Sequence, residues 1–216
     1  MSRVRTVVFD VGETLVDETR HWGEWADWLG VPRLTFFAAF GGVIARGLHH
    51  REVFQIVRPG LDLAAEQRRR ADAGWRTEFR SSDFYPDAIP CLQALSRAGV
   101  ALGIAGNQPE AAEAALAESG LPVSFIASSA RWGVEKPDPA FFAKVVEAAG
   151  VPATAIAYVG DRLDNDVLPA KRAGMTAVFL RRGPWGVLHA ASPEAALADL
   201  RLDTLAQLPL ALEALA

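Results

Sequence analysis

The stretch Val7-Val8-Phe9-Asp10-Val11-Gly12-Glu13-Thr14-Leu15-Val16-Asp17 decides the fold. It begins as a run that is apolar at consecutive rather than alternate positions, the mark of a strand covered on both faces. The run ends in a carboxylate and a glycine-bearing turn, and open parallel sheets carry their reactive groups at such strand ends. The construction recurs along the chain. Beyond the first run at 4–9, apolar runs at 100–105, 124–127, 156–159 and 176–180 have strand length, and the middle three lead into Asn107, Ser128-Ser129 and Asp161. Helical patterns at 88–98, 109–118, 139–149 and 164–173 lie between them and stop at Gly99, Gly120, Gly150 and Gly174, as helices ending on a left-handed glycine do. Strands alternating with helices of this length predict an α/β fold, a doubly wound parallel sheet with right-handed crossovers.

Residues 17–83 break that rhythm. Trp22, Trp25, Trp28, Phe36, Phe37, Phe40, Val53, Phe54 and Ile56 recur at helical spacings with no convincing strand. The segment reads as a helical cap domain, 17–83, inserted into a core formed by 1–16 and 84–216. The three tryptophans are expected to form the insertion's own core. Arg68-Arg69-Arg70 reads as one solvated helix face, and His21 and His49-His50, without metal-ligand spacing, as solvated or packing residues.

Composition sets the outer bounds. The 216 residues are 50% hydrophobic and 22% charged, with a formal net charge of −4, ordinary for a globular protein and unsuited to nucleic acid or an anionic membrane as main partner. The single cysteine, Cys91, allows no internal disulfide and sits in an apolar run as a small buried hydrophobe. No segment approaches the ~18 consecutive apolar residues of a membrane span, and the N-terminus lacks the form of a signal peptide. A cytoplasmic protein with no membrane partner is the expectation.

The chemistry is concentrated at strand ends. A carboxylate such as Asp10 can attack an electrophilic centre and form a covalent ester. Tyr158-Val159-Gly160-Asp161, with Asp166 five residues on, adds two carboxylates in an oxygen-rich arrangement suited to Mg²⁺. Lys136, in Gly133-Val134-Glu135-Lys136-Pro137-Asp138-Pro139, supplies a compact cation to balance them and stabilise a transferring phosphoryl group.

These three motifs and the end of the second strand, Gly103-Ile104-Ala105-Gly106-Asn107, resemble in their order the haloacid dehalogenase (HAD) superfamily over essentially the whole chain. Tyr85-Pro86-Asp87, the stretch 160–175 and the helical insertion are similar to that family as well. The resemblance implies a Rossmann-like core with a cap and Asp10 as nucleophile. It also implies Lys136 as charge clamp and Mg²⁺ held by Asp10, the Gly12 carbonyl and Asp161, with Asp166 behind. The implied reaction is hydrolysis of a small phosphorylated metabolite through an aspartyl-phosphate. Relatives that cleave carbon–halogen bonds lack the acidic motif retained here, and phosphonate-cleaving relatives use a cap lysine, which residues 1–135 do not contain. Asp87 reads as the cap of the helix that follows it.

Two departures from the family pattern bear on activity. Gly12 stands where the family carries a second Asp that protonates the leaving oxygen, a function worth about 10²–10⁴ in rate. Glu13 then reads as a solvent-exposed turn residue, with a replacement acid as the alternative. Gly106 stands where a Ser or Thr would bind the phosphoryl group, leaving its backbone amide and Asn107 as candidate donors. Together the two glycines motivate a rival expectation, a HAD-fold binding or regulatory protein of little turnover. Specificity is expected from the cap and the loop Arg181-Arg182-Gly183-Pro184-Trp185-Gly186.

Overall fold

A computed structural model describes residues 4–75 and 80–215. Six strands form one sheet: β1 (Thr6–Phe9), β2 (Ala101–Gly106), β3 (Phe125–Ser128), β4 (Ile156–Gly160), β5 (Thr176–Leu180) and β6 (Leu200–Leu202). Every pairing is parallel and the order is β3-β2-β1-β4-β5-β6. The chain therefore winds outward from β1 in one direction and from β4 in the other. The crevice beyond their carboxyl ends is the switch point where such sheets bind ligands.

Among the described residues eleven helices accompany the strands: α1 (Thr19–Leu29), α2 (Arg33–Ala45), α3 (Glu52–Val57), α4 (Leu63–Asp72), α5 (Ala88–Arg97), α6 (Glu110–Glu118), α7 (Ser129–Trp132), α8 (Pro139–Ala149), α9 (Leu168–Arg172), α10 (Gly183–His189) and α11 (Leu208–Glu213). The β1 and β4 side chains divide between the two faces of the sheet. Val7, Phe9, Ala157 and Val159 pack with Cys91, Leu92 and Leu95 of α5. Val8, Ile156 and Tyr158 pack with Phe141, Phe142 and Val145 of α8. Each fully buried side chain of this kind contributes roughly 1.5–3 kcal/mol, which explains why the strands read as unbroken apolar runs. Helix α8 has clear ends: the Asp138 carboxylate accepts from Ala140 N–H at 2.8 Å, Pro139 opens it, and Gly150 closes it at φ 63°.

The helix expected at 164–173 is built differently. A π-helical turn spans Leu163–Val167 before α9 begins, with Val167 N–H donating to the Arg162 carbonyl at 3.1 Å. Such a turn widens the backbone and re-aims a side chain; here it accompanies Asp166, which is fully buried. Sequence reading also missed β6, whose three residues include the exposed Arg201 and form no apolar run.

By contact density the chain divides into Met1–Asp17 with Phe79–Ala216, and Glu18–Glu78. Against the expected limits of 17–83, the segment Ser81–Asp83 belongs to the core unit, where Asp83 C=O accepts from Asp17 N–H at 2.8 Å. Within the smaller unit, Trp22 packs against Phe36, Phe40 and Phe54, and Trp25 against Phe54. His50 lies edge-on to Trp22, in a packing contact. The three arginines do not share a solvated face. Arg68 and Arg69 are exposed, whereas Arg70 is 2% exposed with its guanidinium 4.0 Å from the Trp25 ring centre. No single helix among the described residues is long and apolar enough to cross a membrane.

Candidate active site

Asp10 is the first residue beyond β1. Its N–H donates to the Val159 carbonyl at 2.9 Å, so the β1–β4 register fixes its backbone. Lys136 Nζ lies 2.6 Å from Asp10 Oδ1 and 2.6 Å from Asp166 Oδ1, with no exposed side-chain area. Burial acts to lower the pKa of this ammonium, but the charges of Asp10 and Asp166 outweigh it and hold it well above the ordinary lysine value. The second oxygen of Asp166 accepts from Arg162 N–H at 3.1 Å. Gly160 makes room for this carboxylate, since a Cβ there would lie 2.5 Å from Asp166 Cγ.

Asp161, 1% exposed, completes the group. Its Oδ2 is buried and has no hydrogen-bond partner. Burial first, then the charges of Asp166, Asp10 and Glu13, push its carboxyl well above the usual carboxylate range. One oxygen from each of Asp10, Asp161 and Asp166 lies within 4.8 Å of the others. Three buried carboxylates balanced by one lysine, with an orphaned oxygen among them, fit a hard divalent cation.

Asn107 does not face outward as a donor for substrate. Its side-chain amide donates to the Lys136 carbonyl at 2.9 Å and accepts from Lys136 N–H at 2.8 Å. It thereby holds the backbone that carries the clamp. Gly106 adjoins Asp10, because a Cβ there would stand 2.6 Å from Asp10 Oδ1. Ser128, at the end of β3, is engaged elsewhere: it donates to Glu113 at 2.6 Å and caps α7.

The turn after Asp10 departs most from expectation. Glu13 is not a solvated turn residue; it is 6% exposed. Its φ of 52° is the only positive value at a non-glycine among the described residues, while Gly12 has none. Tyr85 Oη donates to Glu13 Oε2 at 2.6 Å, and a Cβ on Gly183 would fall 2.4 Å from that oxygen. Burial and the adjacent Glu13 charge raise the Tyr85 phenol far above its ordinary pKa, so it remains a donor.

Behind this contact is a second network that sequence reading did not find. The Arg182 guanidinium lies 4.1 Å from the Tyr85 ring centre and donates to the Thr14 carbonyl at 3.0 Å. It also pairs with Asp87, which accepts in addition from Thr204 Oγ1 and, at 2.8 Å, from Leu205 N–H. Asp87 sits at the N-cap position of α5, yet its side chain makes no cap bond. The segment Tyr85-Pro86-Asp87 and the loop 181–186 both stood out in the sequence, but nothing in it pairs them.

The structure thus brings Asp10, Asp161, Asp166 and Lys136 together at the switch point of a parallel sheet, an arrangement suited to a hydrolase. A family model of haloacid dehalogenase-like hydrolases matches residues 4–174, and the chain belongs to that family. It is 32% identical over 186 residues to a phosphoserine phosphatase of Thermus thermophilus, the match covering 85% of this chain and 72% of that protein. A glyceraldehyde 3-phosphate phosphatase of Methanopyrus kandleri is 39% identical over 116 residues, covering 50% of this chain and 48% of that protein. The chain thus matches about half the length of the latter. Among solved structures, a 2-haloacid dehalogenase from Pseudomonas syringae pv. Tomato superposes with a TM-score of 0.59 at 25% identity, covering 99% of this chain and 100% of the other.

Proposed function

We propose that the protein is a Mg²⁺-dependent phosphatase of small phosphorylated metabolites that works through an aspartyl-phosphate on Asp10. The observation that carries the reading is the placement of Lys136 Nζ 2.6 Å from both Asp10 and Asp166, next to the unpartnered oxygen of Asp161. A carbon–halogen bond needs no such set of buried acids, whereas a phosphoryl group brings anionic oxygens that a cation and a lysine can neutralise. The phosphatase relatives support the same choice over a non-catalytic role.

Asp10, the Gly12 carbonyl and Asp161 would hold Mg²⁺, with Asp166 behind them. When bound, the ion supplies positive charge for the phosphoryl oxygens. Asp10 is aligned by its backbone bond to Val159 and paired with the Lys136 ammonium, which places a carboxylate oxygen for attack on phosphorus. Lys136 balances charge on Asp10 before attack and on the transferring group during it. Asn107 keeps the lysine in place through its peptide group.

The test is hydrolysis of p-nitrophenyl phosphate with Mg²⁺. Asp10→Asn should remove turnover to background while circular dichroism and Tm stay near wild type. Wild-type rates from a folded Asp10→Asn protein would exclude the covalent route.

A further inference from the structure

We infer that the preferred donors are acyl phosphates, whose leaving group departs as a carboxylate without needing a proton, and that phosphorylated Asp10 is long-lived. The inference rests on the phosphatase reading and narrows its substrate. It follows from where the side chains around Asp10 are committed. Gly12 presents no side chain. Glu13 carries a carboxyl one residue later, but its left-handed backbone turns that group onto Tyr85 and against Gly183. Both ends of the Asn107 amide are taken by the Lys136 peptide, and the Lys136 ammonium spans Asp10 and Asp166. Asp161 keeps an unpartnered oxygen, but in the phosphatase reading that carboxylate would hold Mg²⁺ and would not serve as a proton donor. That leaves no other acid among the described residues of these strand-end loops placed to protonate a leaving oxygen.

The consequence differs between the two half-reactions. In the first, an Asp10 oxygen forms a bond to phosphorus as the bond from phosphorus to the acyl oxygen breaks. The electron pair leaves with the carboxylate, and no proton moves. An alkyl phosphate would have to expel an alkoxide unaided, forfeiting the factor of about 10²–10⁴ that a positioned acid supplies. In the second half-reaction, a water oxygen attacks phosphorus, the Asp10–phosphate bond breaks, and Asp10 recovers its carboxylate. The water proton passes to solvent without help from a base, so this step is slow and the phosphorylated protein accumulates.

The experiment uses the full chain with Mg²⁺ and three donors: acetyl phosphate, p-nitrophenyl phosphate and ethyl phosphate. Phosphate release and the intact mass of quenched protein are read together. The expected result is a kcat/KM for acetyl phosphate at least about 10²-fold above that for ethyl phosphate. One phosphoryl mass increment should appear on wild type and be absent from Asp10→Asn. Gly12→Asp should narrow the gap, chiefly by speeding ethyl phosphate, and lower the phosphorylated fraction. Similar rates for acetyl and ethyl phosphate in wild type would overturn the inference and leave the phosphatase reading standing. So would hydrolysis without any phosphorylated protein. Failure to turn over any of the three would overturn both.

Discussion

Asn107 and Lys136 are joined by two hydrogen bonds between the amide side chain of one and the backbone C=O and N–H of the other, at 2.9 and 2.8 Å. The residues are 29 apart in sequence and belong to the turns after β2 and before α8. Through this pairing the central part of the sheet sets the height of the lysine clamp. In the proposed reaction Asn107 would act through Lys136, as a positioning residue.

Asn107→Ala should lower kcat about tenfold or more with little change in KM. The two lost bonds are each worth roughly 0.5–1.5 kcal/mol, and in the proposed reaction the lysine they hold would act on the transition state rather than on binding alone. Asn107→Asp keeps the acceptor for Lys136 N–H and should recover part of the loss. An effect confined to Tm, with kcat unchanged, would reduce Asn107 to a structural role.

The cation cluster gives a second test, independent of turnover. A ligand that binds only the folded state raises its stability as concentration climbs above Kd. Millimolar Mg²⁺ should raise the Tm of wild type, and Asp161→Ala should abolish most of that rise. The same variant without Mg²⁺ should be no less stable than wild type, because it removes a buried carboxylate with an unpartnered oxygen and three like charges about it. The measurement is differential scanning fluorimetry of both proteins across a Mg²⁺ series; a metal-free loss of stability in the variant would contradict the assignment.

What was legible in the sequence was whatever lies within one element. Buried strands read as apolar runs because both faces are covered, and Asp10 and Asp161 were found because they follow such runs directly. Lys136 and Asp166 came from local motifs. Glu13 was misplaced because its burial depends on Tyr85, 72 residues away, and on a glycine in a later loop. The role of Asp87 was missed for the same reason: its partners Arg182 and Thr204 lie 95 and 117 residues further on. Arg70 was read with its exposed neighbours, since helical spacing cannot reveal that Trp25 and Trp75 close over one arginine of three.

Asp87 predicts a pH dependence of stability. Burial raises its pKa, but Arg182, Thr204 and the Leu205 N–H outweigh it and hold the carboxyl below the usual value. A depressed folded pKa gives stability that is fully present above the unfolded value of about 3.9 and is lost as pH falls through the folded one. Asp87→Asn should therefore cost about 1.5–3 kcal/mol uniformly between pH 5 and pH 8, roughly the range where both states of wild type are ionised. The difference should shrink below about pH 4. Urea unfolding at several pH values decides it, and a difference that grows on acidification would reverse the sign.

Cys91 offers a reporter of unfolding. It is 3% exposed on the inner face of α5, and burial, with Asp87 nearby, pushes its thiol up to about 12. A thiol so protonated and enclosed is unreactive at neutral pH. Native protein should leave 5,5′-dithiobis(2-nitrobenzoic acid) unreduced for as long as it stays folded, and labelling should follow the urea transition. Fast labelling of the native state would show that α5 opens locally.

The strained turn at Glu13 can be separated into its parts. Holding a non-glycine residue in the left-handed region costs roughly 1–2 kcal/mol. The bond from Tyr85 to the carboxylate returns about 1.5–3 kcal/mol, offset by the repulsion that Glu13 exerts on Asp161. Glu13→Ala removes the bond and keeps the strain, whereas Glu13→Gly removes both. The two variants differ only by a Cβ at φ 52°, so Glu13→Gly should be the more stable by about 1 kcal/mol and lie close to wild type. Chemical denaturation of the three proteins side by side measures this directly. Equal stability of the Ala and Gly variants would show that the turn relaxes once the glutamate is gone. In that case the bond to Tyr85, rather than the backbone, holds this turn in its left-handed form.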